Sequence, residues 1–345
     1  LYLVLRQRGV DFQFFQRATR VRVASDDPHL IEAIEFDRQV PDAGDYQPLV
    51  TVKGRPCWPA RPLLDIDDPS SLEESVIDAP HDPWVLDVGP TDKVVLGIPI
   101  GVLPTLCADL IKDHPEWKWM VDRVETVATQ AFQLWLGEGF GELGAAGSRV
   151  RPDDVAENLR FLTSGGYVEP FDTWADMSHL IDVEDFPDAH RPRAIAYLCN
   201  VLPGVDPGKR QCQSDWDRVV KRNAERFLRH HALHIWPGAV SRYPDEFRWD
   251  LLVDPSGGVG HERFDAQFFR ANVDPSERYV LSVPGSGRTR LAPDESGYEN
   301  LFLAGDWTRC GLDLGCVEAA VMSGMLAAAA VENADVHHVI GAGHL

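Results

Sequence analysis

The sequence has 345 residues, 44% of them hydrophobic, which is ample for one large domain or two with buried cores. A formal net charge of -21 argues against nucleic acid or an anionic membrane as an electrostatic partner, because both need clustered Lys and Arg. Six scattered cysteines show neither disulfide-scaffold nor metal spacing, no apolar run is long enough to span a bilayer, and no secretory leader pattern opens the chain, so a cytoplasmic protein with reduced thiols is expected.

In chain order, Leu1 to Arg8 followed by Gly9 predicts the last turns of a helix, with basic residues at its end and glycine just beyond. The first residue is Leu, and the helical pattern is already under way there, so the chain is read as part of a longer protein. Residues 10–15 alternate apolar and polar, and residues 18–23 and 30–36 predict two more short strands around a turn at Ser25 to Pro28. Residues 41–83 are rich in Pro and Asp and predict an irregular surface excursion. Trp84 to Gly89 and Asp92 to Gly101 then predict strands, the second buried and closed by Gly97, Pro99 and Gly101. Helices are expected over residues 103–112 and 115–124, a strand over 125–136, a loop over 140–151, and an amphipathic helix over 215–231.

Near the end, Leu301 to Ala304 is a short apolar run bounded by Asn300 and by Gly305 and Asp306, which predicts a strand buried on both faces. Beyond a loop holding Gly311 and Gly315, apolar residues recur at Val317, Ala320, Val321, Gly324, Met325 and Ala328, the spacing of a helix packed along that face. In an open α/β sheet ligands sit at the carboxyl ends of strands, and a helix N-terminus offers unpaired N–H groups. Gly315 would admit a ligand close to the backbone, and Asp306 would accept hydrogen bonds from ligand hydroxyls. The same residues also suit an ordinary strand, loop and helix with no ligand.

The string from Asn300 through Gly305, Asp306, Gly315 and Cys316 to Gly324 resembles the C-terminal FAD-binding motif of the flavin-containing amine oxidoreductase superfamily, which includes amine oxidases and phytoene desaturases. The resemblance implies that Asp306 binds the ribityl or phosphate side of FAD, and that backbone donors at Cys316 and Val317 face the pyrimidine oxygen of the flavin. It also implies that the backbone at Ala18 and Thr19 faces the adenine, and that Gly97 and Pro99 border the cofactor. Cys316 and Ala319 stand where an aromatic residue and a glycine are common in amine oxidases, which weakens that branch more than FAD itself. The glycine fingerprint G-x-G-x-x-G after a strand, which anchors the pyrophosphate in this family, is absent from the sequence.

The implied fold class is α/β: a partial FAD/NAD(P)-binding Rossmann-like domain over residues 1–104 and 290–335, lacking its N-terminal βαβ unit, with an inserted α+β substrate domain over 105–289. The implied function is FAD-dependent oxidation of a C–H or C–N bond in a small organic substrate by hydride transfer to the flavin. A non-catalytic remnant that acts as a binding or scaffold protein is the alternative.

The sequence holds two other constellations of titratable residues. Asp172, Asp176 and His179 would share one face of a helix, where they could hold a divalent metal or handle protons, although an N-cap and a solvated face are commoner. His230, His231 and His234 include an i, i+4 pair but lack the Glu of a zinc helix, so no metal site is expected. No single residue stands out as a catalytic acid or base.

Overall fold

The computed structural model describes residues 1–41, 43, 46–66, 72–73, 81–145, 163–164, 168–242, 245–334 and 339. The chain divides into two compact units, one of Leu1–Pro48, Ala60–Val127 and Asp274–Leu345, the other of Leu49–Pro59 and Ala128–Val273. It is a mixed helix and strand protein with several small sheets.

The first unit opens with the helix Tyr2–Gln7, closed by Gly9 at φ 88°, a conformation that costs glycine little. The alternation over residues 10–15 does not produce a strand. Phe12 packs edge-on against Tyr2 with ring centroids 4.8 Å apart, and Phe15 at φ 57° turns the chain into the strand Gln16–Val23. That strand pairs antiparallel with Ile31–Arg38, which pairs in turn with Pro83–Asp87, so the three-stranded sheet takes its third member from residues 83–87. Buried Asp37 secures this join, accepting from the N–H groups of His81 and Asp82 at 2.7 and 2.9 Å and pairing with Arg17 at 3.2 Å.

Much of the proline-rich excursion lies outside the described residues, as does the end of the loop expected over 140–151. The excursion does contain a hairpin, Val50–Val52 with Arg55–Cys57, turned by Lys53 and Gly54 at positive φ and belonging to the second unit.

The strands Val94–Leu96 and Leu301–Leu303 run parallel, the one parallel pairing among the described residues, with Val94 opposite Leu301 and Leu96 opposite Leu303. Buried Asn300 ties the entry of the second strand to Ile31 by a reciprocal pair of 2.9 Å bonds, one from each residue. The helices Leu103–Leu106, Ala108–Asp113 and Pro115–Arg123 form as expected. Leu103, Leu106, Trp117 and Met120 are buried in one core with Ile31, Leu301 and Leu303. Besides the changes at 48/49 and 59/60, the boundaries between units fall at residues 127/128 and 273/274 rather than at the expected 104/105 and 289/290, because these helices bury their apolar side chains in that core.

The second unit is built on a five-stranded antiparallel sheet in the order Phe268–Asn272, Thr129–Leu136, Ala194–Val201, Thr173–Asp176, Thr163–Ser164. Alternation along Thr129–Leu136 sends Phe132, Leu134 and Leu136 to the covered face. The helix Gln213–Ile235 buries Val220, Ala224, Phe227, Leu228 and Ala232 in the same core, and Phe171 lies between Phe132 and Phe227 at 4.7 and 5.8 Å.

Candidate functional site

The site is the turn that ends the strand Leu301–Leu303. Ala304 still follows the ladder, its N–H donating to the Leu96 carbonyl at 2.9 Å. Gly305 then takes φ 143°, and a Cβ there would overlap the indole nitrogen of Trp307. Trp307 is 1% exposed and donates from Nε1 to the Ile98 carbonyl at 3.1 Å, so it is a core residue of the turn. The Gly305 N–H donates to Ser323 Oγ at 3.0 Å, and Thr308 Oγ1 lies 2.9 Å from the Gly305 carbonyl and 2.7 Å from Ser323 Oγ. Thr308 and Ser323 are both fully buried. The strand end is thereby pinned to the helix Val317–Glu332 by a closed polar network.

Asp306 follows, half-buried. Burial raises its carboxyl above the ordinary aspartate value, while the Arg290 charge and its own backbone N–H oppose the shift. No other side chain among the described residues donates to that carboxylate, which leaves its oxygens as acceptors toward solvent. Arg290 is 1% exposed, and one of its terminal nitrogens donates to the Asp306 carbonyl at 2.7 Å.

The loop to the helix is shaped by Asp313 at φ 50°, whose carboxylate accepts the Cys310 N–H at 3.0 Å and whose carbonyl accepts the Ser282 hydroxyl at 2.7 Å. Gly315 is required by close approach, but the approaching group is protein. A Cβ at Gly315 would stand 2.6 Å from the Val280 carbonyl oxygen and 2.8 Å from the Tyr279 ring, and the Tyr279 hydroxyl donates to the Gly315 carbonyl. Cys316 is the N-cap of the helix, its sulfur accepting the Ala319 N–H at 3.4 Å. The N–H groups of Val317 and Glu318 meet no acceptor among the described residues, as expected of a first turn.

The helix packs on a different face from the one predicted. Ala319, Ser323, Leu326 and Ala327 are buried, while Val317, Val321 and Met325 are 77, 54 and 45% exposed. The buried set is small and polar enough to let the helix approach the strand and complete the Ser323 network, which hydrophobic spacing alone does not reveal.

Gly97 and Pro99 follow the neighbouring parallel strand and are exposed, and a Cβ at Gly97 would meet nothing within 4 Å. With Ile98 bonded to Trp307, they adjoin the Gly305 turn. Gly97, Pro99, Gly305, Asp306, Gly315, Cys316 and Val317 thus belong to one neighbourhood. Ala18 pairs with Phe36 beside a register shift at Thr19 and packs against the core of the first unit.

The acidic and histidine constellations do not form sites. Asp172 precedes the strand Thr173–Asp176, so the helical face expected for Asp172, Asp176 and His179 does not exist, and Asp176 accepts the Ser178 N–H at 2.9 Å. His230, His231 and His234 lie on the last turns of their helix, where burial, then His230, His234 and Arg226, lower the affinity of His231 for its proton. No group of three or more metal-capable side chains occurs among the described residues. Neither does any helix there have the length and apolarity to cross a membrane.

Missed by sequence reasoning were Arg290, Thr308 and Ser323. A lone Arg amid polar loop residues and a Ser interrupting an apolar helix were the available signals, and each has commoner explanations.

Residues 270–332 match the family model of flavin containing amine oxidoreductases, a span that contains the whole turn and the helix after it. Over that span the chain is similar to the flavin containing amine oxidoreductases. No curated protein matches the chain. An oxidoreductase from Methanosarcina mazei aligns with 94% of this chain at 10% identity and a TM-score of 0.48, and the chain spans about half of its length, 51%.

Proposed function

We propose that the chain is part of an FAD-dependent oxidoreductase that oxidises a C–H or C–N bond of a small organic substrate, with the first unit binding FAD and the second the substrate. The observation that carries this reading is the half-buried Asp306 carboxylate, which no other described side chain engages, at the carboxyl end of a parallel strand. Such a group suits the hydroxyls of a ribityl chain, which can only satisfy it by donating. The first-turn N–H groups at Val317 and Glu318, with the N-cap residue Cys316, suit an electron-rich ring oxygen. Gly97 and Pro99 border the same turn without filling it, and Ala18 with Thr19 is assigned to the adenine side. Gly315 serves this site indirectly, by letting Tyr279 and Val280 hold the loop in place.

When bound, flavin supplies the hydride acceptor. The residues of the chain orient it: Asp306 holds hydroxyls, the helix N-terminus stabilises negative charge, and the buried Thr308 and Ser323 network keeps both in register. The six free cysteines suit a reducing cytoplasm.

Anaerobic mixing of the flavin-loaded protein with panels of amines and of isoprenoids tests the oxidoreductase reading. Bleaching of the flavin band by one class supports it and names that class. A bound flavin that dithionite reduces but no substrate class bleaches favours the scaffold alternative.

A further inference from the structure

The most unusual buried group in the first unit is Arg290. It is 1% exposed, and its fork spans two chain segments, with one terminal nitrogen 2.7 Å from the Asp306 carbonyl and the other 3.3 Å from the Leu281 carbonyl and 3.4 Å from Ser282 Oγ. Its Nε has no partner. A buried guanidinium is expensive unless its donors and charge are used, and a methionine could fill most of the volume at less electrostatic cost. Here the donors go to two main-chain carbonyls and a serine hydroxyl, so the charge has no direct carboxylate partner among the described residues.

We propose that Arg290 is the positioning residue of the ligand turn: its guanidinium clamps the Asp306 carbonyl to the Leu281–Ser282 segment and so sets the direction in which the Asp306 carboxylate meets ligand hydroxyls. This rests on the flavin reading of that site. The clamp holds Asp306 while the Ser323 network holds Gly305, so that the two residues of the turn are fixed by separate partners. Ser282 extends the clamp, since its hydroxyl also donates to the Asp313 carbonyl in the loop that leads to Cys316.

The unpaired charge has a second consequence. Asp306, Asp313 and Cys310 face the guanidinium, and Tyr279 and Cys316 complete the titratable surroundings of the turn. Burial raises the Asp306 carboxyl, and the Arg290 charge works against that rise and so favours the charged form that accepts from ligand hydroxyls. A lysine would keep that charge but lose the planar fork that reaches two segments at once.

The test uses the full chain and its R290K, R290M and D306N variants. The Asp306 side-chain carboxyl is titrated by carbon NMR without ligand, its resonance assigned by its loss in D306N, and FAD affinity is read from fluorescence quenching. R290M should raise the Asp306 midpoint above that of the wild-type chain. R290K should leave that midpoint near the wild-type value yet weaken FAD about tenfold, with no further weakening when made in D306N. An unchanged midpoint in R290M, wild-type FAD affinity in R290K, or equal weakening by R290K with and without Asp306 would overturn the assignment. If R290M fails to fold, R290K and its combination with D306N decide the matter. If the wild-type chain binds no FAD, the flavin reading fails, and the carboxyl titration alone then judges Arg290.

Discussion

The N–H of Gly305 donates to the hydroxyl of Ser323 at 3.0 Å, joining the end of the strand to the second turn of the helix that follows it. Ser323 is fully buried and also bonds Thr308, whose hydroxyl in turn lies 2.9 Å from the Gly305 carbonyl. The Ser323→Ala variant leaves the half-buried Gly305 N–H without its acceptor and the buried Thr308 hydroxyl with one partner fewer. It should lose about 1–3 kcal/mol of stability, measured by urea unfolding, and a loss below about 0.5 kcal/mol would show that the network does not hold the turn.

Two glycines of the same neighbourhood should behave oppositely. A Cβ at Gly305 falls on the Trp307 indole at a backbone φ of 143°, whereas one at Gly97 meets nothing within 4 Å. Gly305→Ala should destabilise by at least about 1–3 kcal/mol, the usual magnitude of backbone strain, while Gly97→Ala should stay within about 0.5 kcal/mol. Equal midpoints in urea would mean that the indole is not fixed against the turn.

Stability should respond to the Asp306 carboxyl with a definite sign. Burial raises its affinity for a proton in the folded chain, so the folded state binds that proton more tightly than the unfolded one does. The resulting stabilisation is fully present below the ordinary aspartate pKa and is lost as pH rises through the folded value. The Asp306→Asn variant should accordingly melt higher than wild type at neutral pH, with the gap closing in acid. A gap that widens in acid contradicts the direction of the shift.

Thiol labelling offers an independent check on the core. Burial pushes the Cys107 thiol up to about 12, and its side chain is inaccessible, whereas Cys212 is exposed. Disulfide-exchange reagents at neutral pH should modify Cys212 rapidly in the native protein and Cys107 only on unfolding. Native-state labelling of Cys107, located by peptide mapping, would show that the helices of residues 103–123 are not packed as described.

The sequence made the turn legible because strand, Gly-Asp and helix follow each other within a short stretch, and local chemistry dictates each. It made the long helix Gln213–Ile235 legible through its repeating apolar face. Three things were not legible for physical reasons. Residues 10–15 alternate like a strand, but Phe12 and Phe14 pack on Tyr2, the Val10 N–H turns back to the Leu5 carbonyl, and the stretch joins no strand ladder. The helix Val317–Glu332 is apolar nearly all round, so spacing could not say which face the strand would take, and a buried serine decided it. Arg290 and Asp306 are brought together by tertiary structure alone, and nothing local links them.

The measurement that tests the account most directly is the visible and fluorescence spectrum of FAD titrated with the purified chain, set beside the same titration with Asp306→Ala. The account predicts a perturbed flavin band and quenching with the wild-type chain, both lost or weakened at least about tenfold in the variant, the scale of a lost hydrogen bond to a charged group. Identical spectra for the two proteins would contradict it, because the flavin would then be bound elsewhere or not at all.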